Sequence, residues 1–155
     1  VFIDSIDFSF QTRKRYYWTN IPIEKWISKK INFQDFKDTD YEYCKQFKVN
    51  KTPSRELMWE KKCPNVTNRE HVNCLTVKQD RWNNAGLVEF DGFCRYLTRR
   101  ELELAQTVPI GYTDCVSIRQ AEDLLGDGWT VDVIAHIFSF LKEGKFLNSF
   151  SNENV

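Results

Sequence analysis

The chain has 155 residues, of which 41% are hydrophobic and 28% are charged, and its formal net charge is zero. A chain of this length forms one ordinary domain that buries about 70% of its unfolded surface, and the composition is typical of a globular protein in water. No apolar run approaches the roughly 20 residues that span a bilayer, and the first residues lack the basic segment and cleavage site of a signal peptide. The sequence therefore predicts an intracellular protein without a membrane partner.

The balanced net charge hides an uneven distribution along the chain. Residues 45–100 contain 12 basic and 6 acidic side chains, whereas residues 101–155 contain 3 basic and 9 acidic ones. An excess of positive charge attracts the phosphates of nucleic acids, so the middle segment is a candidate DNA-binding region. An ordinary solvated surface of mixed charge is the alternative.

The cysteines form no recognisable metal or disulfide pattern. Their number is odd, no two are spaced as Cys-x-x-Cys, and the chain has only two histidines. Zinc sites and disulfide frameworks need paired spacings, so we expect reduced structural thiols and no bound metal. The five are Cys44, Cys63, Cys74, Cys94 and Cys115.

The first elements in chain order are two predicted strands. Residues 1–6 and 15–21 are rich in β-forming side chains, and a turn over residues 11–14 joins them. Pro22 ends the second strand, because proline cannot donate to a strand ladder.

The long stretch of residues 23–69 has no clean hydrophobic period. Its best candidates for short helices are residues 24–30 and 54–61, the second with Ser54 as its N-cap. The rest of the stretch is predicted to be irregular.

A hairpin is predicted in the second half of the chain. Residues 87–90 and 93–97 are rich in β-forming side chains and flank Asp91-Gly92, a dipeptide typical of tight turns. Residues 72–77 resemble a further strand.

Three helices are predicted after the hairpin. Thr98 and Glu101 have the spacing of a capping box at the start of the first helix. The second covers residues 117–125, and Gly126-Asp127-Gly128 is read as a turn after it. The apolar residues of segment 131–141 are spaced for a helix that is largely buried.

The segment Gln11-Thr12-Arg13-Lys14-Arg15 resembles the Gln-x-Arg-x-Arg motif of the DNA cytosine-C5 methyltransferases, and residues 16–22 resemble the segment that follows it in the vertebrate de novo enzymes. The resemblance implies that Arg15 reaches the O2 edge of a flipped cytosine. It also implies that Arg13 supports the catalytic pocket and that Gln11 belongs to the same catalytic set. A basic turn on an ordinary surface is the alternative.

Residues 95–112 resemble the long Arg-x-Leu-Thr-x-x-Glu and Gln-x-x-Pro-x-x-Tyr block of the same family. The resemblance implies a mostly structural role, which anchors the recognition region to the catalytic sheet. Arg95 is the expected exception, because a guanidinium can bridge a helix end and a DNA phosphate.

Gly126-Asp127-Gly128-Trp129-Thr130 resembles the last motif of the family, a turn that enters a helix beside S-adenosyl-L-methionine. The resemblance implies that Asp127, Gly128 and Trp129 form part of the cofactor site. Asp127 departs from the usual Asn or basic residue, and its carboxylate is expected either to cap the following helix or to meet the amino group of the ligand. A plain capped core helix is the alternative.

The basic segment between the first two motifs corresponds to the target-recognition region of the family. There the resemblance places a base-reading loop, and Lys78, Gln79 and Arg81 become candidates to contact guanine edges or phosphates of DNA. Solvated loop residues are the alternative.

The resemblance implies the C-terminal portion of a class I S-adenosylmethionine-dependent methyltransferase α/β fold with an irregular recognition region. Its expected parts are the catalytic-sheet strands with the arginine motif (1–24), the target-recognition region (25–94), the closing helices (95–144) and a flexible tail (145–155).

The sequence lacks the Pro-Cys nucleophile, the catalytic acid and the glycine-rich donor loop of the family in their usual context. Cys63-Pro64 has the nucleophile dipeptide reversed and is rejected. The terminal Glu153-Asn154-Val155 matches the acid tripeptide and is attributed to chance, with a circularly permuted or engineered arrangement as the alternative. The expected function is therefore one part or subunit of a split cytosine methyltransferase, active only with an N-terminal partner or the missing half. A catalytically inactive DNA-binding or regulatory homologue is the alternative.

Overall fold

The computed structural model of the chain describes residues 1–62, 64–80 and 84–141, although some side chains of residues 55–62 are excluded. Cys63, Arg81 and the whole C-terminal segment, including the predicted tail and Glu153-Asn154-Val155, lie outside the described residues. The described elements are β1 (Phe2–Asp4), β2 (Lys14–Tyr16), α1 (Tyr41–Lys45), α2 (Pro53–Lys62), β3 (Val88–Phe90), β4 (Phe93–Arg95), α3 (Arg99–Ala105), α4 (Ile118–Asp127) and α5 (Val131–Phe138), with short 3-10 turns at Ser5–Asp7 and Phe33–Asp35.

Strands β1 and β2 pair antiparallel with Ile3 opposite Arg15, so the two predicted strands are confirmed but are shorter than expected. The Asp4 carboxylate ends β1, because it accepts hydrogen bonds from the backbone N–H of Ile6 at 3.3 Å and of Arg13 at 2.9 Å. The prediction of a tight turn over residues 11–14 is wrong. Gln11 instead forms a parallel bridge with Val72.

The predicted hairpin is confirmed. Strands β3 and β4 pair antiparallel with Val88 opposite Arg95, and the turn between them contains Gly92 with a φ of 77°. This left-handed conformation carries little cost for glycine, which explains why the Asp-Gly step indicated the turn.

The capped helices are also confirmed. The Thr98 hydroxyl accepts from the Glu101 N–H while the Glu101 carboxylate accepts from the Thr98 N–H, and Ser117 and Gln120 form the same reciprocal arrangement at the start of α4. Helix α4 continues through Gly126 and Asp127, so the prediction of a turn at these residues is wrong.

Other sequence predictions fail where tertiary contacts override local preference. Residues 24–30 form no helix; the Trp26 indole donates to the Asp7 carboxylate at 2.9 Å and the Lys29 N–H donates to the Asp7 carbonyl at 2.9 Å, which hold this segment extended along the protein. Residues 72–77 form no strand apart from the bridge at Val72. Helix α2 is confirmed, but it begins at Pro53, so Ser54 is not its N-cap.

The core has a main cluster and a smaller one beneath α5. In the smaller cluster Val133 and Ile137 of α5 pack with Ile3 and Phe8. Val131, Phe138 and Leu141 are exposed, so the expectation of a largely buried last helix is wrong: one face of α5 has no cover in this part of the chain. The main cluster consists of Phe10, Phe33, Val66, Val72, Leu75, Ala85, Val88, Leu97, Leu102, Ala105, Val108 and Leu125.

In the described part of the chain, no helix combines the length and the apolar character needed to cross a membrane.

Candidate active site

Arg13 is buried and connects two parts of the chain that are distant in sequence. Its Nη1 donates to the Leu75 carbonyl at 3.0 Å, and its Nη2 donates to the carbonyls of Gly126 at 3.0 Å and Gly128 at 2.8 Å. Carbonyls at the end of a helix have no partners within the helix, and the guanidinium supplies donors to those of α4. Arg13 thus ties the end of α4 to the segment that follows Val72.

Gln11 lies in a fully buried polar network. Its Nε2 donates to the Ala105 carbonyl at 2.6 Å and to Gln106 Oε1 at 2.8 Å, while its Oε1 accepts from the Leu75 N–H at 3.2 Å. Every polar atom of this amide is therefore used within the protein. Gln11 is placed to position neighbouring segments rather than to touch a substrate.

Arg15 is the exposed member of the motif. Its Nη1 donates to the Lys14 carbonyl at 2.8 Å and its Nη2 lies 3.7 Å from the Cys74 sulfur, at the mouth of a cavity. Side chains two apart on a strand share a face, so Arg13 and Arg15 point the same way, one beneath the other. Arg15 keeps donors free for a ligand.

The cavity has a volume of about 650 Å³ and is bounded by the arginine segment on one side and by the end of α4 and the start of α5 on the other. Arg15, Asp127 and Trp129 all line it, so the structure brings together candidates that are more than 100 residues apart in sequence. The other lining residues are Arg13, Tyr16, Tyr17, Trp18, Thr19, Gly126, Ile134, Ile137 and Phe138.

The residues of the last motif contribute in different ways. Asp127 is the final residue of α4 and Trp129, which is 64% exposed, follows it. Gly128 takes part through its carbonyl, which accepts from Arg13, and it also lines a separate, mostly apolar cavity between the segment after α3, α4 and α5.

Asp127 does not cap α5, so the first of the two expectations for its carboxylate is wrong. The N-cap of α5 is Thr130, not Asp127, and its hydroxyl donates to Ser5 instead of accepting from the helix. The first N–H groups of α5 are already used, because that of Val131 donates to the Gln106 carbonyl at 3.0 Å and that of Asp132 donates to the Thr107 hydroxyl at 2.8 Å. The backbone N–H groups of Val131 and Asp132 are therefore not available to a methionine carboxylate.

Three side chains that line the cavity suit the cationic groups of S-adenosyl-L-methionine. Asp127 offers a carboxylate to an amino group or a sulfonium cation, and Trp129 and Trp18 offer aromatic faces that attract cations. These residues would form one wall of a cofactor site.

The expected recognition residues are placed differently from one another. Lys78 is partly exposed, whereas Gln79 is only 1% exposed and its Nε2 donates to the Thr76 carbonyl at 3.2 Å. A buried amide does not fit direct contact with a guanine edge, so the expectation for Gln79 is corrected. Arg81 lies outside the described residues.

The expectation of a DNA contact for Arg95 is also corrected. Arg95 is fully buried and forms a bidentate pair with Glu101, with both nitrogen–oxygen distances at 2.8 Å. Its guanidinium also donates to the carbonyls of Tyr96 and Asp38. With its terminal donors turned inward, Arg95 holds the hairpin against α3 and has no reach to a phosphate.

One buried acid was missed in the sequence. Glu103 accepts from the N–H groups of Gly111 at 2.7 Å and Thr113 at 2.8 Å and from the Thr113 hydroxyl at 2.6 Å. It thereby fixes the loop between α3 and α4. Its position within residues 95–112, the block that resembles the methyltransferase family, was the one signal in the sequence. An acidic residue in a helix is otherwise expected on the surface.

Comparisons by sequence find neither a family model nor a curated protein that matches the chain. Two solved structures are similar in fold. The Dnmt2 methyltransferase of S. pombe is 14% identical with a TM-score of 0.66, over 91% of this chain and 55% of that one. The methyltransferase EhMeth of Entamoeba histolytica is 13% identical with a TM-score of 0.60, over 92% of this chain and 53% of that one.

This likeness confirms a class I methyltransferase-like α/β fold. The chain spans about half the length of either protein, and at these identities the likeness concerns the fold alone.

Proposed function

We propose that the chain is the part of a DNA cytosine-C5 methyltransferase that supplies target recognition, the arginine motif and one wall of the S-adenosyl-L-methionine site. The observation that supports this most strongly is the single cavity in which Arg15 meets Asp127 and Trp129. Two of the three resembling motifs converge on it from opposite ends of the sequence.

The chemistry explains why such a cavity needs an exposed arginine. C5 of cytosine becomes nucleophilic only after a thiolate adds to C6, and negative charge then develops on N3 and O2 of the base. A duplex base must first be flipped out of the stack. A guanidinium fixed near O2 stabilises that charge, and the free donors of Arg15 suit this role.

Arg13 and Gln11 act as positioning residues in this account. Arg13 joins the arginine segment to the carbonyls of Gly126 and Gly128, so the base-holding wall and the cofactor wall are held at a fixed separation. Gln11 holds the start of the arginine segment against the end of α3. The cofactor supplies an electrophilic methyl group when bound.

A catalytic half, in the same polypeptide or in a partner subunit, supplies the thiolate, the acid and the remainder of the cofactor pocket. The exposed apolar side chains around the cavity support this proposal, since such patches mark interaction surfaces. Phe2, Tyr16 and Trp18 form a row of rings with centroids 5.0 Å and 6.1 Å apart, and Trp18 is 91% exposed. Trp129 and Phe138 extend the apolar surface on the other side of the cavity.

The test is assembly followed by methyl transfer. The chain is co-expressed with a candidate catalytic half that carries the Pro-Cys nucleophile, the acid and the donor loop, and labelled methyl incorporation into cytosine-containing DNA is measured. We expect a stable complex and 5-methylcytosine as the product. DNA binding without methyl transfer by the complex would instead favour the inactive, regulatory homologue.

The apolar patch gives a matched control for the assembly step. Trp18→Ser should weaken the complex, because the most exposed ring of the row is lost. Ile27→Ser, which removes another highly exposed apolar side chain that does not line the cavity, should leave assembly unchanged.

A further inference from the structure

A second cavity lies in the middle of the chain and shares no lining residue with the cavity of Arg15. It has a volume of about 660 Å³ and lies between the segment before α2 and the β3–β4 hairpin. It lies within the positively charged segment of residues 45–100, but none of its lining residues was among the candidate DNA-contacting residues. It is lined by Lys48, Val49, Asn50, Lys51, Glu89, Phe90, Gly92, Phe93 and Cys94.

Backbone hydrogen bonds join the two segments that form this cavity. The Val49 N–H donates to the Cys94 carbonyl at 2.8 Å, and the Tyr96 N–H donates to the Phe47 carbonyl at 3.1 Å. These bonds attach the lysine-bearing segment to β4, so the lysines and the hairpin form one wall. The cavity is therefore a feature of the packed fold.

Two lysines at the cavity form no ion pair with the residues that the structure describes. Both of them, Lys48 and Lys51, are exposed. Glu56, Glu60 and Glu89 line a smaller, adjoining cavity, which also contains Lys51. Lys48 lines only the larger cavity, where Glu89 is the one acidic side chain among the described lining residues. An anion is therefore favoured in the larger cavity, beside Lys48.

Aromatic faces complete the same cavity. The rings of Phe90 and Phe93 are 5.5 Å apart and partly exposed, and the exposed ring of Tyr41 packs on both, 6.2 Å and 5.8 Å away. Tyr41 and the Lys45 ammonium, which lies 5.9 Å from the Tyr41 ring, are next to the cavity but do not line it. Lysines interleaved with partly exposed rings are the arrangement that binds unpaired nucleotides, because bases stack on the rings while phosphates meet the cations.

The geometry points to a binding site for an unpaired nucleotide of a nucleic-acid strand in this cavity, with its base against Phe90 and Phe93 and its phosphate near Lys48 and Lys51. Glu89, the one carboxylate that lines the cavity, favours a base with an exocyclic amino group, since a carboxylate accepts from such a group. Thymine and uracil lack it. A base paired in a duplex does not present its face, so the site selects unpaired strands.

This inference does not depend on methyl transfer, because binding alone tests it and the full chain is sufficient. Fluorescence anisotropy is measured with labelled single strands of oligo-dC and oligo-dT, the corresponding RNA strands and a duplex. We expect single strands to bind more tightly than the duplex and oligo-dC more tightly than oligo-dT. DNA and RNA offer the same base and phosphate, and comparison of the two identifies the natural polymer.

Three variants localise the binding. Lys48→Gln combined with Lys51→Gln should weaken binding and lower the slope of affinity against salt by about one to two counterions. Phe93→Leu, which keeps apolar bulk in the hairpin but removes the stacking face, should weaken binding about tenfold. Lys25→Gln, an exposed lysine that does not line the cavity, is the matched control and should have no effect.

Cys94 provides a readout within the cavity that does not depend on mutation. Burial raises the pKa of its thiol, so alkylation is slow enough to follow by mass spectrometry. Bound oligo-dC should slow alkylation of Cys94 and leave the exposed Cys115 unaffected. The proposal would be overturned if Cys94 were alkylated at the same rate with and without oligo-dC. It would also be overturned if the variant with Lys48→Gln and Lys51→Gln bound with the affinity and salt dependence of the wild type.

Discussion

Replacing Gly126 by alanine sets two effects against each other, and the structure decides between them. Gly126 lies inside α4, where alanine is favoured over glycine by about 1 kcal/mol. A Cβ at this position, however, would lie 2.5 Å from the Val77 nitrogen and 2.6 Å from the Thr76 oxygen. Both are backbone atoms, which cannot rotate away as a side chain can.

The steric effect should prevail. Overpacking costs about 1–3 kcal/mol, and separation of α4 from residues 76–77 also strains the bonds of Arg13 to Leu75 and Gly126. We therefore expect Gly126→Ala to lower the free energy of unfolding by about 1–3 kcal/mol despite the gain in helix propensity. In a domain of this size each kcal/mol corresponds to a fall in Tm of about 2–4 °C.

Urea unfolding followed by circular dichroism measures this change, with Asp127→Ala as the control. Asp127 is the next residue of the same helix and is exposed, so its replacement by alanine gains propensity without a clash. If the Gly126→Ala variant were as stable as the wild type, or more stable, α4 would not approach the backbone of residues 76–77 as closely as described.

Three other predictions concern residues that stabilise the helices around the site. Glu101→Ala should destabilise the protein by about 3–5 kcal/mol, because it leaves the Arg95 charge buried without its partner; a loss below about 1 kcal/mol in urea unfolding would contradict the buried pair. Thr98→Ala should cost about 1 kcal/mol through loss of the N-cap of α3, and an unchanged Tm would argue against the capping box. Burial raises the pKa of Glu122 from its ordinary value of 4.5 to about 7, so the folded protein retains a proton that the unfolded chain has already released. Stability should therefore fall as the pH rises from about 4.5 to 7. Glu122→Gln should flatten that part of the pH profile of Tm, and an unaltered profile would refute the assignment.

The parts of the fold that were predictable are those set by neighbours in sequence. The capping box of Thr98 and Glu101 and the Asp91-Gly92 hairpin each depend on residues within a few positions, so their sequence patterns were sufficient. Residues 72–77 have the composition of a strand, yet their polar groups contact Gln11 and Arg13 from the other end of the chain. Local propensity has no access to such contacts.

The candidate site was predictable in its members more than in their roles. The resemblance placed Arg15, Asp127 and Trp129 at one site, and they line one cavity. Arg95 was expected to bridge a helix end and a DNA phosphate, because a guanidinium can do so, but it is fully buried. Its pairing with Glu101, which already served as the capping residue, could not be seen from spacing.

The rate of labelled methyl incorporation by the assembled enzyme, compared between wild type and Arg15→Ala, tests the central claim most directly. Lys14→Ala is the matched control, because Lys14 is the adjacent exposed cation of β2 and its side chain points to the opposite face of the strand. Loss of a donor that stabilises developing charge lowers kcat by about 10²–10³, so we expect a fall of that size for Arg15→Ala and little change for Lys14→Ala. Equal rates for Arg15→Ala and the wild type would contradict the role of this cavity in cytosine methylation.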